Sequence, residues 1–189
     1  MRKKIAIVGH GYVGKAMSKF FESHYDLVIY DPPAGYEVSK EEVNSCYATF
    51  VCVPTPRNDD GSCDTSNVQS VLKDLSDINY KGIVAIKSTV EVGFTNSMID
   101  KFKNLTICFV PEFLRERCAE ADFVENHQLL AVGTNDPFVF NRVSESHGSL
   151  PKNFVQLTTT EAEILKYYNN VFAATKIIFA NLRFNSCSF

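Results

Sequence analysis

Short apolar runs alternate along this chain with longer stretches whose apolar residues recur every three or four positions. Ile5-Ala6-Ile7-Val8, Leu27-Val28-Ile29-Tyr30, Phe50-Val51-Cys52-Val53, Ile83-Val84-Ala85-Ile86, Leu105 to Val110, Leu129-Leu130-Ala131-Val132 and Phe154-Val155-Gln156-Leu157 read as strands. Between them, residues 12–23, 38–45, 65–78, 95–102 and 136–146 carry helical spacing, as in Val13, Ala16, Met17, Phe20 and Phe21. Strands that are apolar throughout are buried on both faces, which is the property of a mostly parallel sheet with helices on each side. Crossovers in such sheets are right-handed. The predicted fold class is therefore α/β, doubly wound.

The last segment breaks the alternation. Thr160-Glu161-Ala162-Glu163 fits a capping box with Thr160 as N-cap. Beyond it, Ile164, Leu165, Tyr168, Val171, Phe172, Thr175, Ile178, Phe179 and Leu182 form one stripe at helical period. A helix of about 20 residues, roughly 30 Å long, is expected. The chain then divides into a sheet domain over residues 1–157 and the start of a long C-terminal helix over residues 158–189. A stripe that apolar needs cover, from the sheet, a second copy, or another chain.

Composition narrows the function classes. The chain has 189 residues, 45% hydrophobic and 22% charged, with a net charge of −3. That is one domain plus a remainder, without the basic stripe of a nucleic-acid binder. No apolar run reaches the roughly 18 residues of a membrane span, and no signal peptide is legible at the N-terminus. None of the six cysteines forms a C-x-x-C pair, so neither a metal site nor a disulfide framework is expected. The expected setting is the reducing cytoplasm.

Gly9-His10-Gly11-Tyr12-Val13-Gly14 is G-x-G-x-x-G, following a strand and opening a helix. Gly9 permits a tight turn, Gly11 lets the backbone approach a pyrophosphate, and Gly14 lets helix and strand pack closely. The amides of Tyr12 and Val13 open the helix, where a positive dipole end meets phosphate. Asp31 closes the second strand, where a carboxylate accepts from both ribose hydroxyls of NAD and repels the extra phosphate of NADP. Together these give a Rossmann-like fold and NAD as the expected cofactor. In a purely structural turn, the same Asp31 would simply face solvent.

Four further motifs follow: Val53-Pro54-Thr55-Pro56, Lys87-Ser88-Thr89-Val90 with Gly93, Pro111-Glu112-Phe113-Leu114-Arg115-Glu116, and Glu163-x-x-Lys166-x-x-x-Asn170. In this order the chain resembles the UDP-glucose/GDP-mannose 6-dehydrogenase family, and its UDP-glucose members most. The resemblance covers about residues 3 to 180. It implies oxidation of the primary alcohol of a nucleotide-linked hexose, UDP-glucose first, with two NAD used in succession and a cysteine-bound thioester. It also implies that Glu112 is the base when water attacks, and that Lys166 and Asn170 stabilise the oxyanion. Thr89 would lie near nicotinamide and the catalytic water, with Thr55 and Glu116 lining the cofactor site. The residues agree in part. Glu112 follows a strand's carboxyl end, where open α/β sheets bind ligands, and Lys166 and Asn170 are i, i+4 on a helix.

Members of the family are about twice this length, and the second half carries the nucleophilic cysteine and most nucleotide contacts. None of that is expected here, and Cys187 stands outside any matching motif. Arg117 also stands where the family usually has glycine. The expectation is an NAD-binding half that pairs as a homodimer through the 160–182 helix or with a separately encoded C-terminal half. An inactive NAD-binding remnant and a small β-hydroxyacid dehydrogenase are the alternatives.

Overall fold

Residues 2–124 and 128–186 are described by the computed structural model. The apolar runs become β1 (Lys4–Val8), β2 (Asp26–Tyr30), β3 (Ala48–Val51), β4 (Ile83–Ile86), β5 (Thr106–Phe109), β6 (Leu129–Gly133) and β7 (Asn153–Leu157). The helices are α1 (Tyr12–Phe21), α2 (Lys40–Asn44), α3 (Ser66–Asp77), α4 (Phe94–Lys101), α5 (Ala119–Val124), α6 (Pro137–Ser146) and α7 (Thr159–Ser186). One sheet of seven strands runs in the order β2-β1-β3-β4-β5-β6-β7. It is α/β, Rossmann-like and doubly wound, with a long C-terminal helix.

Side chains alternate faithfully across the sheet. Ile5, Ile7, Phe50, Ala85 and Cys108 pack with Met17 and Phe21 of α1, Phe123 of α5, and Val139 and Val143 of α6. Ala6, Val51, Val84, Ile86 and Phe109 pack with Val68, Leu72 and Leu75 of α3, Met98 of α4, and Ala162 of α7. The central strands β3 and β4 are buried along their whole length on both faces, Thr49 being the polar side chain among their residues.

Two features differ from the sequence pattern. The strands β1 to β5 are parallel, but β6 is antiparallel to β5, through Phe109 opposite Gly133, and β7 is parallel to β6. The β5–β6 connection leaves and re-enters the same edge of the sheet, so it needs no crossover. That leaves the first residues of β6 standing beyond the end of β5 as a wall. α5, which the periodicity does not reveal, lies in this connection and packs under α1.

The capping box is also displaced. Thr158 Oγ1 accepts from the Glu161 amide, and Glu161 Oε2 accepts from the Thr158 amide at 2.8 Å. The run Thr158-Thr159-Thr160 offers two registers, and Glu163 is taken by a tertiary contact instead of reaching Thr160. Its carboxylate is fully buried and accepts from the Gly93 and Thr95 amides, at 2.6 and 2.8 Å. It thus caps α4 from α7, satisfying amides that have no partner within their own helix. Glu163→Ala orphans both amides and is expected to cost about 2–3 kcal/mol, with Glu163→Gln costing less. Urea unfolding checks this, and an unchanged midpoint for Glu163→Ala would show that the contact is idle.

α7 has 28 residues, longer than the stripe predicts. Ala162, Glu163 and Lys166 are buried, whereas Tyr168, Val171, Phe172, Ile177, Ile178, Phe179 and Leu182 are exposed. Among the described residues no helix is long and apolar enough to cross a membrane.

Candidate functional site

The carboxyl ends of β1, β3, β4 and β5 are held level by backbone bonds. Cys52 N–H donates to Val8 O at 2.7 Å, Lys87 N–H to Val51 O at 2.9 Å, and Val110 N–H to Ile86 O at 2.8 Å. Every candidate motif except the one on α7 hangs from this edge. The strand order reverses between β1 and β3, the position at which open α/β sheets take ligands.

The glycine loop is built as its spacing requires. Gly9 has φ +90°, and a β-carbon there would stand 2.7 Å from the Cys52 carbonyl. A β-carbon on Gly14 would overlap the Gly9 carbonyl oxygen. Gly11 is different, since nothing lies within 4 Å of where its β-carbon would be. No side chain caps the helix at Gly11. The space over Gly11 opens into a cavity of about 320 Å³ lined by Gly11, Tyr12, Val13, Cys52, Pro54, Glu112, Leu114 and Ala119. Asp31 is drawn to this loop, with Oδ2 accepting from the His10 amide at 2.6 Å. An open glycine at an uncapped helix start, with a carboxylate at the end of β2, is the donor set that a dinucleotide needs.

A larger cavity, of about 510 Å³, is lined by the Pro111–Arg115 segment. Lys87, Glu112, Phe113, Leu114, Gln128, Leu129, Leu165, Tyr168 and Asn169 are among its lining residues. Glu112 and Leu114 border both cavities. The Glu112 side chain is 14% exposed and that of Lys166 is 6% exposed. Lys166 Nζ donates to Glu112 Oε1 at 2.7 Å and to the Glu112 carbonyl oxygen at 2.6 Å, while Glu112 Oε2 accepts from the Leu114 amide at 2.7 Å. The carboxylate is therefore held at both oxygens, and α7 is tied to the end of β5.

Beyond Leu114 the segment is anchored again. Asp122 accepts from the Arg115 amide at 3.0 Å and from its guanidinium at 2.9 and 2.7 Å. These bonds hold the Asp122 carboxyl at about 2. Asp122 lies on α5, the helix that the periodicity misses.

The other expected residues are placed less centrally. Thr55 and Thr89 are half-buried and brought together at their backbones by Cys63, whose thiol donates to Thr89 O at 3.4 Å and lies 3.9 Å from Thr55 O. Asn170 is exposed, and Asn169 takes the place in the cavity lining. The Glu116 backbone forms a short 3-10 turn with Arg117 and Cys118. The Glu116 side chain and Cys187 lie outside the described residues. Among the described residues no His, Cys, Asp or Glu group gathers that could hold a metal. Lys87, for which the Lys87-Ser88-Thr89-Val90 motif implies no role, is 3% exposed and reaches the larger cavity. Its signal is a lysine directly after a wholly apolar strand.

In sequence and in fold the chain is similar to known proteins. Residues 35–148 match the family model described as the NAD binding domain of the UDP-glucose/GDP-mannose dehydrogenase family. A UDP-glucose 6-dehydrogenase of Rickettsia bellii is 33% identical over 155 residues, covering 78% of this chain and 36% of that protein. The structure of a UDP-glucose dehydrogenase from Pyrobaculum islandicum superposes with a TM-score of 0.83 at 25% identity, over 96% of this chain and 52% of that one. A GDP-mannose dehydrogenase from Pseudomonas aeruginosa shares the fold, with a TM-score of 0.82 at 23% identity, over 96% and 52%. The chain spans about half the length, or less, of the curated relatives it matches.

Proposed function

Since the chain belongs to the UDP-glucose/GDP-mannose dehydrogenase family, with NAD as its cofactor, we propose that it serves the oxidation of a nucleotide sugar's primary alcohol, UDP-glucose first among candidates. The observation that carries this reading is Glu112, which borders the glycine-loop cavity and the larger cavity at once. A hydride acceptor in the first cavity and an alcohol in the second would be brought into contact beside Glu112. NAD, when bound, supplies the hydride acceptor. Gly9, Gly11, Tyr12, Val13, Gly14 and Asp31 would hold it, with Thr55, Thr89 and Glu116 beside it.

In this reading Glu112 takes a proton from the attacking water. Lys166, which carries a positive charge to the same point, stabilises the developing oxyanion, with Asn170 one turn further along α7 as the second donor. The exposed stripe on α7 favours a second copy of the chain as its cover, since a face this apolar is an association surface.

NADH absorbance with purified chain, NAD and UDP-glucose tests the proposal, with GDP-mannose as the comparison. NADH formation is expected with one of the two, from the chain alone or once a C-terminal half of a family member is added. A chain that binds NAD and yields NADH with neither, alone or so supplemented, is an NAD-binding half that lacks turnover, and the reading of Glu112 as base then falls.

A further inference from the structure

Lys87 is the buried cation that the site does not yet use. It follows β4 directly, is 3% exposed, and lines the larger cavity alongside Glu112. Its backbone is pinned, the amide donating to Val51 O at 2.9 Å. Among the described residues its ammonium makes no hydrogen bond. Ammonium groups are almost never buried unless paired.

The groups around it do not supply a partner. Cys52 faces it from the end of β3 and Cys108 from β5, with Glu112 beyond β5 and Lys166 on α7. Burial pushes both thiols up to about 12, so neither offers an anion near neutral pH. The Glu112 carboxylate is close enough for its charge to be felt at Lys87, but its oxygens accept from Lys166 and the Leu114 amide and not from Lys87. Lys166 is a like charge. Burial drives the Lys87 ammonium below its ordinary range, with Lys166 adding to that and Cys52, Glu112 and Cys108 opposing it. An amine kept in this position at a cost to stability points toward the cavity for its acceptor.

We propose that Lys87 is a ligand-binding residue, whose amine donates a hydrogen bond to an oxygen of the molecule held in the larger cavity, a sugar hydroxyl or the carboxylate formed from it. This rests on reading that cavity as the substrate side. It completes a three-sided arrangement in which Lys166 stands beside Glu112 and Lys87 faces the cavity that Glu112 also lines.

The test uses the full chain with two variants and one direct probe. Lys87→Met removes the amine and keeps the bulk, and Lys87→Arg keeps the charge. Lys87→Met is expected to unfold at higher urea than wild type at pH 7. The gap narrows as pH rises toward 10.5, because a lysine whose folded value is depressed binds more protons unfolded than folded in that window, so wild-type stability climbs there. In parallel, the Lys87 side-chain resonance of wild type is followed by NMR as glucuronate is added, with glucose and chloride as controls. A saturable shift with glucuronate that chloride does not reproduce, and that Glu112→Gln retains, supports the proposal. A Lys87→Met chain less stable than wild type at pH 7 would make Lys87 a structural residue and overturn it. So would a resonance that ignores glucuronate or answers chloride equally. Should Lys87→Met fail to fold, the wild-type titration decides alone. A shift with glucuronate in a chain that forms no NADH leaves the Lys87 site standing and removes the turnover reading only.

Discussion

Gly11→Ala is expected to weaken NAD binding by roughly 100-fold, about 2.7 kcal/mol, in a protein that remains folded. The β-carbon meets nothing within 4 Å in the chain itself, and Gly11 is a helix N-cap with ordinary negative φ. The stability change is therefore within about 1 kcal/mol, set by the cap preference for glycine against the entropy gained from alanine. The added methyl group lies in the space where, on the proposed reading, a pyrophosphate would come up to the uncapped amides. Gly14→Ala is the contrasting case. Its β-carbon would overlap the Gly9 carbonyl oxygen, a backbone atom that cannot swing aside, so the loss is of the fold itself, of order 3 kcal/mol or more. NAD titration and urea unfolding of both variants separate the two effects. Full NAD affinity in Gly11→Ala would remove this loop from the cofactor site.

Lys166→Met carries the second large effect. It strands the Glu112 carboxylate, whose side chain is 14% exposed and loses the ammonium 2.7 Å away. Breaking one side of a buried pair costs about 3–5 kcal/mol, because the remaining charge is left without compensation. The double variant, Glu112→Gln with Lys166→Met, removes the charge as well and is expected to recover most of that loss. Unfolding midpoints of the two single variants and the double give the coupling directly. Additive losses in the double variant would mean that the pair is not the bond that holds α7 to the end of β5.

Much of this arrangement is legible before any coordinates. The strands are, because burial on both faces leaves Ile5-Ala6-Ile7-Val8 or Ile83-Val84-Ala85-Ile86 no room for a polar residue. The glycine loop is, because only glycine fits the contacts at Gly9 and Gly14. What escapes the pattern is tertiary. Glu163 fits a local cap three residues on from Thr160, but a buried carboxylate is worth more across the fold, on two free amides of α4. The reversal of β6 leaves no periodic trace, since an apolar strand reads alike in both directions. Asn170 keeps its i, i+4 relation to Lys166 yet is exposed, because α7 leaves the body of the protein within one turn of Lys166. Lys87 sits in the Lys87-Ser88-Thr89-Val90 motif, and only the structure shows it buried with no hydrogen bond to its ammonium among the described residues.

The way α7 is fastened has a mechanical consequence. At 1.5 Å per residue its 28 residues span about 42 Å. Its grip on the sheet is confined to the first two turns, at Ala162, Glu163 and Lys166. Glu163 bears on the segment that follows β4, and Lys166 on the segment that follows β5. The helix is thus a lever whose fulcrum is the site, with a long arm and a very short one. A tilt of about 5° displaces the far end by several ångströms while moving Lys166 by a fraction of one. Whatever comes to rest against the long arm therefore adjusts the alignment of Lys166 with Glu112 finely, through a reduction gear made of a single helix.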